Sequence, residues 1–284
     1  MRFYGNEICC GSYACLNAMG DSTIDLQLFE ISTSAPFGIR HCEDKRFDRL
    51  LTTYRDPNAG LDRALQLWGY HVENSRFHTT GEVLENIKAL IAGETPIIIG
   101  PVDMGRLGYQ VMPSILKRMD HYIVVEGCSD AEIFCTDSEG YVRQRIEKGA
   151  LCSYLSVAEI PEADGSLTVR RIEKERAYCI EEILRKSLRY ASENLSEAEA
   201  QKEGASAIIK CCEYLIEQEE YKWRLPLLYD IQYLKQRKLL LLLLADMLEK
   251  YELQPAGKFT NLKEYAMKQN DLLGELYWKL RSGE

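Results

Sequence analysis

Residues 10–19, CGSYACLNAM, are small or apolar at nearly every position, which predicts a buried helix over that stretch. DLQLFEIS follows with apolar residues at Leu26, Leu28, Phe29 and Ile31 and predicts a second helix. Residues 33–47 carry Pro36 and Gly38 and read as an irregular loop. From Leu61 a short helix is expected to end near Gly69 and give way to a strand, and EVLENIKALIA, 82–92, repeats its apolar residues at helical spacing. The pattern then changes period. TPIIIG from Thr95, HYIVVEG from His121, AEIFCTD from Ala131 and YVRQRIE from Tyr141 are short β-branched or apolar runs separated by tight turns. Strands so closely spaced imply an antiparallel sheet.

After the turn-rich PEADGS at 161–166 the chain changes character. Helical periodicity extends over 176–194, 197–220, 227–253 and 262–280, with Pro226 in a first turn and Pro255 and Gly257 between the last two. The expectation is an α+β protein of two domains. A first domain, 1–160, packs a helix on an antiparallel sheet; a second, 161–284, is an all-α helical bundle.

Composition narrows the function classes. With 284 residues, 46% hydrophobic and 28% charged, the chain is long enough for a real core. A formal charge of −9 argues against a nucleic-acid partner, which needs a basic face. The longest apolar run, LLLLLLA at 239–245, is far shorter than the ~20 residues that span a bilayer. No signal peptide is read at the start, so a cytoplasmic protein without a membrane partner is expected. The ten cysteines form no CxxC pair, and the four histidines do not fall at zinc-site intervals from them, so no metal or cofactor is expected. Reduced thiols are the expectation, most of them small core residues.

One thiol stands apart. Cys10 opens the first helix, where the positive end of the helix dipole favours a thiolate, and Gly11 beside it allows close approach of a substrate. His121 begins a strand and Asp137 ends the next one, so an antiparallel hairpin brings them together. Nucleophile, base and orienter are the parts that thiol catalysis needs. Each residue also has a plainer reading: a buried thiol, a hydrogen-bonded strand-end histidine, a turn-forming aspartate.

The order of these residues resembles that of papain-like cysteine enzymes. CCGSYACLNAM is similar to the nucleophile helix of bacteriocin-processing peptidases. A closer resemblance, over 6–145, is to the N-terminal domain of the butirosin biosynthesis protein H family, carried by CCGS, LFEI from Leu28, VDMGRLGY from Val102 and HYIVVEGC from His121. The resemblance implies a papain-like first half with Cys10 as nucleophile, His121 as general base and acid, and Asp137 as orienter. It implies transfer of an acyl group from a thioester, such as one on an acyl carrier protein, to a small-molecule amine of the aminoglycoside kind. The glutamine that supplies the oxyanion donor in papain-like enzymes is absent, and Asn6 is the candidate in its place. Asp103 and Tyr109 are candidates for lining the acyl or amine pocket. Two other readings stand beside transfer: a peptidase or amidohydrolase using the same thiol on a peptide, and an inactive binding or scaffold protein.

Overall fold

A computed structural model of the chain describes residues 9–41, 51–53, 56–91, 95–111, 113–114, 116–154, 160, 166–200, 205–217, 224–253 and 257–282. The architecture is α+β, with two compact units: Met1–Leu26 with Leu61–Ala177, and Gln27–Gly60 with Tyr178–Glu284.

The first unit is built on a six-stranded antiparallel sheet. Its strands in chain order are β3 (Tyr70–Phe77), β4 (Ile97–Asp103), β5 (Asp120–Cys128), β6 (Glu132–Asp137), β7 (Gln144–Glu147) and β8 (Leu167–Lys174). Their order across the sheet is β3-β8-β4-β5-β6-β7. Helix α4 (Thr80–Ile91) supplies Val83 and Ile87 to the core. These join Ile97, Ile99, Ile123, Val125, Ile133, Cys135, Leu167 and Val169, residues that alternate along their strands and so share one face of the sheet. Helix α1 (Cys10–Met19) lies against β5 and β4 and is buried from Gly11 to Ala18, as expected of a helix with no polar face. Gly20 ends it at φ +63, with its N–H bonded to the Leu16 carbonyl. Gly11 is where α1 comes closest: a β-carbon there would lie 2.8 Å from Leu61 Cδ1 and 3.4 Å from the Tyr122 ring.

The sequence places the junction at 160/161, yet the first unit runs on to Ala177. The reason is β8, which pairs with both β3 and β4 inside the sheet. Its polar Thr168 and Arg170 are buried along with its apolar residues, so LTVRRIEK does not read as a covered strand. The stretch read as an irregular loop holds β1 (Ile39–His41), which pairs with β2 (Leu51–Thr53) in a small separate sheet.

That small sheet belongs to the second unit, with α2 (Leu26–Thr33). Helices α6 (Ile180–Ala200), α7 (Ala205–Glu217), α8 (Arg224–Lys250) and α9 (Gly257–Ser282) make up most of the rest. Ile39, Leu51, Ala207, Cys211 and Leu234 form its core cluster, and the carboxylate of buried Asp230 accepts from the Leu51 N–H at 3.0 Å. The leucine run 239–245 lies in α8. Among the described residues no helix is long and apolar enough to cross a membrane.

Candidate active site

Register explains how two strands deliver the polar pair. Asp137, the last residue of β6, lies opposite Ile123 on β5. His121 is two residues before Ile123, hence on the same face and a diagonal neighbour of Asp137. Here the apolar row of Ile123, Val125, Ile133 and Cys135 stops and two polar residues replace it. His121 Nε2 and Asp137 Oδ1 are 2.7 Å apart, with side chains 1% and 0% exposed.

The histidine's other side faces the first helix. Cys10, partly buried at the first position of α1, reaches the Asp120 carbonyl with its thiol at 3.7 Å and lies close enough to the His121 ring for each group to shift the other's protonation. With Nε2 committed to Asp137, the ring nitrogen left for the sulfur is Nδ1. The structure thus brings Cys10, His121 and Asp137 together, in the order that the sequence suggests. Cys9 is the N-cap residue of α1 and makes no side-chain capping bond.

Asp137 is the most heavily bonded group in the site. Oδ1 also accepts from the Glu139 N–H at 2.8 Å, so the residue closes the turn after β6 as well. Oδ2 accepts from the Tyr109 hydroxyl at 2.8 Å and from Gln110 Nε2 at 3.5 Å. Burial opposes its charge, but the His121 charge and these donors prevail and hold the carboxyl below its usual range. For His121 burial again opposes the charged form. The hydrogen bond and charge of Asp137, and then those of Cys10, outweigh it and raise the imidazole well above its ordinary value. Burial pushes the Cys10 thiol up, His121 pulls it back, and the Asp120 and Asp137 carboxylates add to the rise; the net direction is upward.

Thiol and imidazole therefore titrate as a pair, in two steps that belong to neither alone. Asp137 favours a proton on the ring. The neighbouring thiol Cys135, raised to about 12 chiefly by burial, is no competitor.

Of the other candidates, Asp103 is 1% exposed and its contacts are those of a loop cap. Its Oδ1 accepts from the Gly105 and Arg118 N–H groups at 3.0 and 2.9 Å, and Arg106 Nε lies 3.4 Å from Oδ2. Tyr109 contacts the Asp137 carboxylate itself. Asn6 lies outside the described residues. Sequence reasoning missed Gln110 and Arg170. Arg170 is fully buried on β8, its Nε 2.7 Å from Asp62 Oδ1 and its guanidinium carbon 5.9 Å from the Tyr122 ring centre. A β-branched alternation in LTVRRIEK was the available signal for that strand. Among the described residues no group of three or more His, Cys, Asp or Glu side chains is arranged to hold a metal ion.

No protein-family model matches the chain. A stretch of 129 residues is 29% identical to the uncharacterized protein YobF of Bacillus subtilis (strain 168), covering 44% of this chain and 40% of that protein. The chain thus spans about two fifths of the length of that curated relative.

Proposed function

We propose that the chain is a thiol-dependent acyltransferase of papain-like architecture, working through Cys10, His121 and Asp137. The observation that carries this reading is a convergence: a carboxylate oxygen 2.7 Å from one nitrogen of a buried imidazole, and a helix-start thiol close enough to that ring for each to shift the other's protonation. A histidine kept only for packing has no need of a buried carboxylate on one side and a half-exposed thiol on the other.

In the first half-reaction the thiol proton passes to His121 Nδ1 as sulfur attacks the acyl carbon of a thioester or amide. The first-turn N–H groups of α1, which have no intrahelical acceptor, and the helix dipole stabilise the developing oxyanion. The tetrahedral adduct collapses, His121 gives its proton to the leaving thiolate or amine, and the acyl group stays on Cys10 as a thioester. An amine then attacks, His121 takes its proton, and the amide leaves with the thiol restored. Water in place of the amine makes the same site a hydrolase. Asp137 stays ionised throughout and holds the ring with Nε2–H pointing at Oδ1. The preferred donor is a carrier-protein thioester and the acceptor a small amine of the aminoglycoside kind, as the family resemblance implies.

Incubation with acyl thioesters, followed by intact-mass and peptide analysis, tests the proposal. An acyl adduct on Cys10 is expected, lost in Cys10→Ala, kept in Cys9→Ala and discharged by added amine. No adduct from any thioester or activated amide overturns it.

A further inference from the structure

The loop joining β4 to β5, described at 104–111, 113–114 and 116–119, is anchored at two carboxylates, Asp103 at its base and Asp137 in the site. At its base Asp103 accepts from the Gly105 and Arg118 N–H groups, and the Met104 N–H bonds to the Met119 carbonyl at 2.9 Å. Gly105 packs directly on the backbone of Pro113 and Lys117: a β-carbon there would lie 2.5 Å from both the Pro113 carbonyl oxygen and the Lys117 nitrogen. Further along, Leu107 is buried in the core below the sheet face. Tyr109 packs against Tyr141, in the turn between β6 and β7, with ring centres 5.0 Å apart and planes tilted by 49°. Its hydroxyl and the Gln110 amide then meet Oδ2 of Asp137.

We propose that Tyr109 is a positioning residue for the candidate active site: by donating to Oδ2 it fixes the rotation of the Asp137 carboxylate so that Oδ1 stays on His121, and it thereby makes the 104–119 loop part of the machinery. The inference deepens the acyl-transfer reading and rests on it for the word "active". The chemistry is specific. A carboxylate flanked by donors on one oxygen only can turn about its own axis, and a turn of some tens of degrees moves Oδ1 off the line of Nε2–H. The Glu139 N–H restrains Oδ1 from the backbone side. Tyr109 restrains the opposite oxygen, so the two bonds together leave one orientation. Burial, and then the charge of Asp137, raise the tyrosine well above its usual value, so it remains a neutral donor over the working pH range. Gln110, at 3.5 Å, is the weaker second donor. The hydroxyl is also near the Cys135 thiol, which marks the boundary between this polar cluster and the apolar core.

The readout is the rate at which iodoacetamide alkylates Cys10 in the intact chain, followed by peptide mass across about pH 4–9, beside kcat and KM with a thioester that acylates the parent. Tyr109→Phe keeps the ring that packs on Tyr141 and removes only the donor. Alkylation is expected to fall about 3- to 10-fold at neutral pH, kcat to fall by a similar factor and KM to hold. The groups facing Asp137 are His121, Tyr109, Cys10 and Cys135. The tyrosine bond favours the ionised carboxylate, so its loss moves the acid limb of the rate profile up by about half a unit to one unit. A purely structural role moves neither limb. Gly105→Ala, at the loop base, forces the loop open from outside the site and is expected to reproduce the same limb shift in a chain that still melts cooperatively. An unchanged rate and limb in Tyr109→Phe overturns the inference, even if Cys10 acylation stands. A parent that forms no acyl adduct, in which Tyr109→Phe still slows alkylation, removes the acyl-transfer reading and leaves the positioning role.

Discussion

Replacing Asp137 by asparagine separates its geometry from its charge. The amide keeps the carboxylate's shape, and its two ends are set by the donors around it. If nitrogen took the place of Oδ1 it would face the Glu139 N–H, donor against donor, where the acid accepts at 2.8 Å. If nitrogen takes the place of Oδ2 it faces the Tyr109 hydroxyl, which can rotate to accept, and the Gln110 amide, which can flip. The second arrangement wins, and the oxygen stays 2.7 Å from His121 Nε2 with the ring tautomer preserved. What is lost is the charge. A hydrogen bond to an ionised group contributes about 1.5–3 kcal/mol against about 0.5–1.5 for a neutral one, so the imidazolium loses about 1–1.5 kcal/mol of support. That lowers the basicity of His121 by about one pKa unit and the rate of thiolate formation about tenfold. Stopped-flow acylation with a chromogenic thioester, or alkylation of Cys10 followed by mass, measures it. A rate within twofold of the parent, with the pH profile unmoved, would refute the role given to Asp137. A loss as complete as that of Cys10→Ala would show that geometry, and not charge, had been disturbed.

Two further outcomes follow from the same contacts. Because His121 is raised, its pairing stabilises the fold fully below its unfolded value of about 6.5 and loses that contribution as pH rises through the folded value. Because Asp137 is lowered, its contribution is present above about 3.9 and is lost as pH falls through the folded value. The gap in melting temperature between parent and Asp137→Asn should therefore be widest between about pH 4 and 6.5 and narrow on both sides, and a gap independent of pH contradicts the pairing. Gly11→Ala puts a β-carbon 2.8 Å from Leu61 Cδ1. Overpacking outweighs the gain in helix propensity by about 1 kcal/mol, so melting falls by about 2–4 °C. In a Leu61→Ala background the same change should become neutral or stabilising; an equal loss in both backgrounds means that the contact is not the cause.

The elements that build the site were readable because their patterns are local. Helix α1 spans Cys10–Met19 as its small and apolar residues suggest, and β5 and β6 follow the two apolar runs. His121 and Asp137 came out as neighbours because a hairpin fixes register, although the contact is diagonal, with Ile123 opposite Asp137. Strand β7 starts at Gln144, three residues after Tyr141, because the turn from β6, which ends at Asp137, takes Gly140 at φ +93 and Arg143 at φ +53. What was hidden depends on distant partners. Arg170 disguises β8, since a buried arginine is tolerable only where Asp62, 108 positions away, meets it. The grouping of 27–60 with the C-terminal helices rests on contacts such as Leu51 to Asp230, which no periodicity announces. Tyr109 stood out only as part of a loop motif; that its hydroxyl ends on Oδ2 of Asp137 depends on how that loop folds back.

The most direct measurement is a competition among thiols. Cys179 is exposed and also stands at a helix start, its carbonyl accepting from the Ile183 N–H, so it serves as the internal standard for the helix-start effect alone. Limiting isotope-coded iodoacetamide should label Cys10 faster in the parent than in His121→Asn, because His121 opposes the rise that burial gives the Cys10 thiol, while Cys179 is labelled equally in both. A Cys10 whose rate relative to Cys179 is indifferent to His121 would mean that these three side chains lie together without working together.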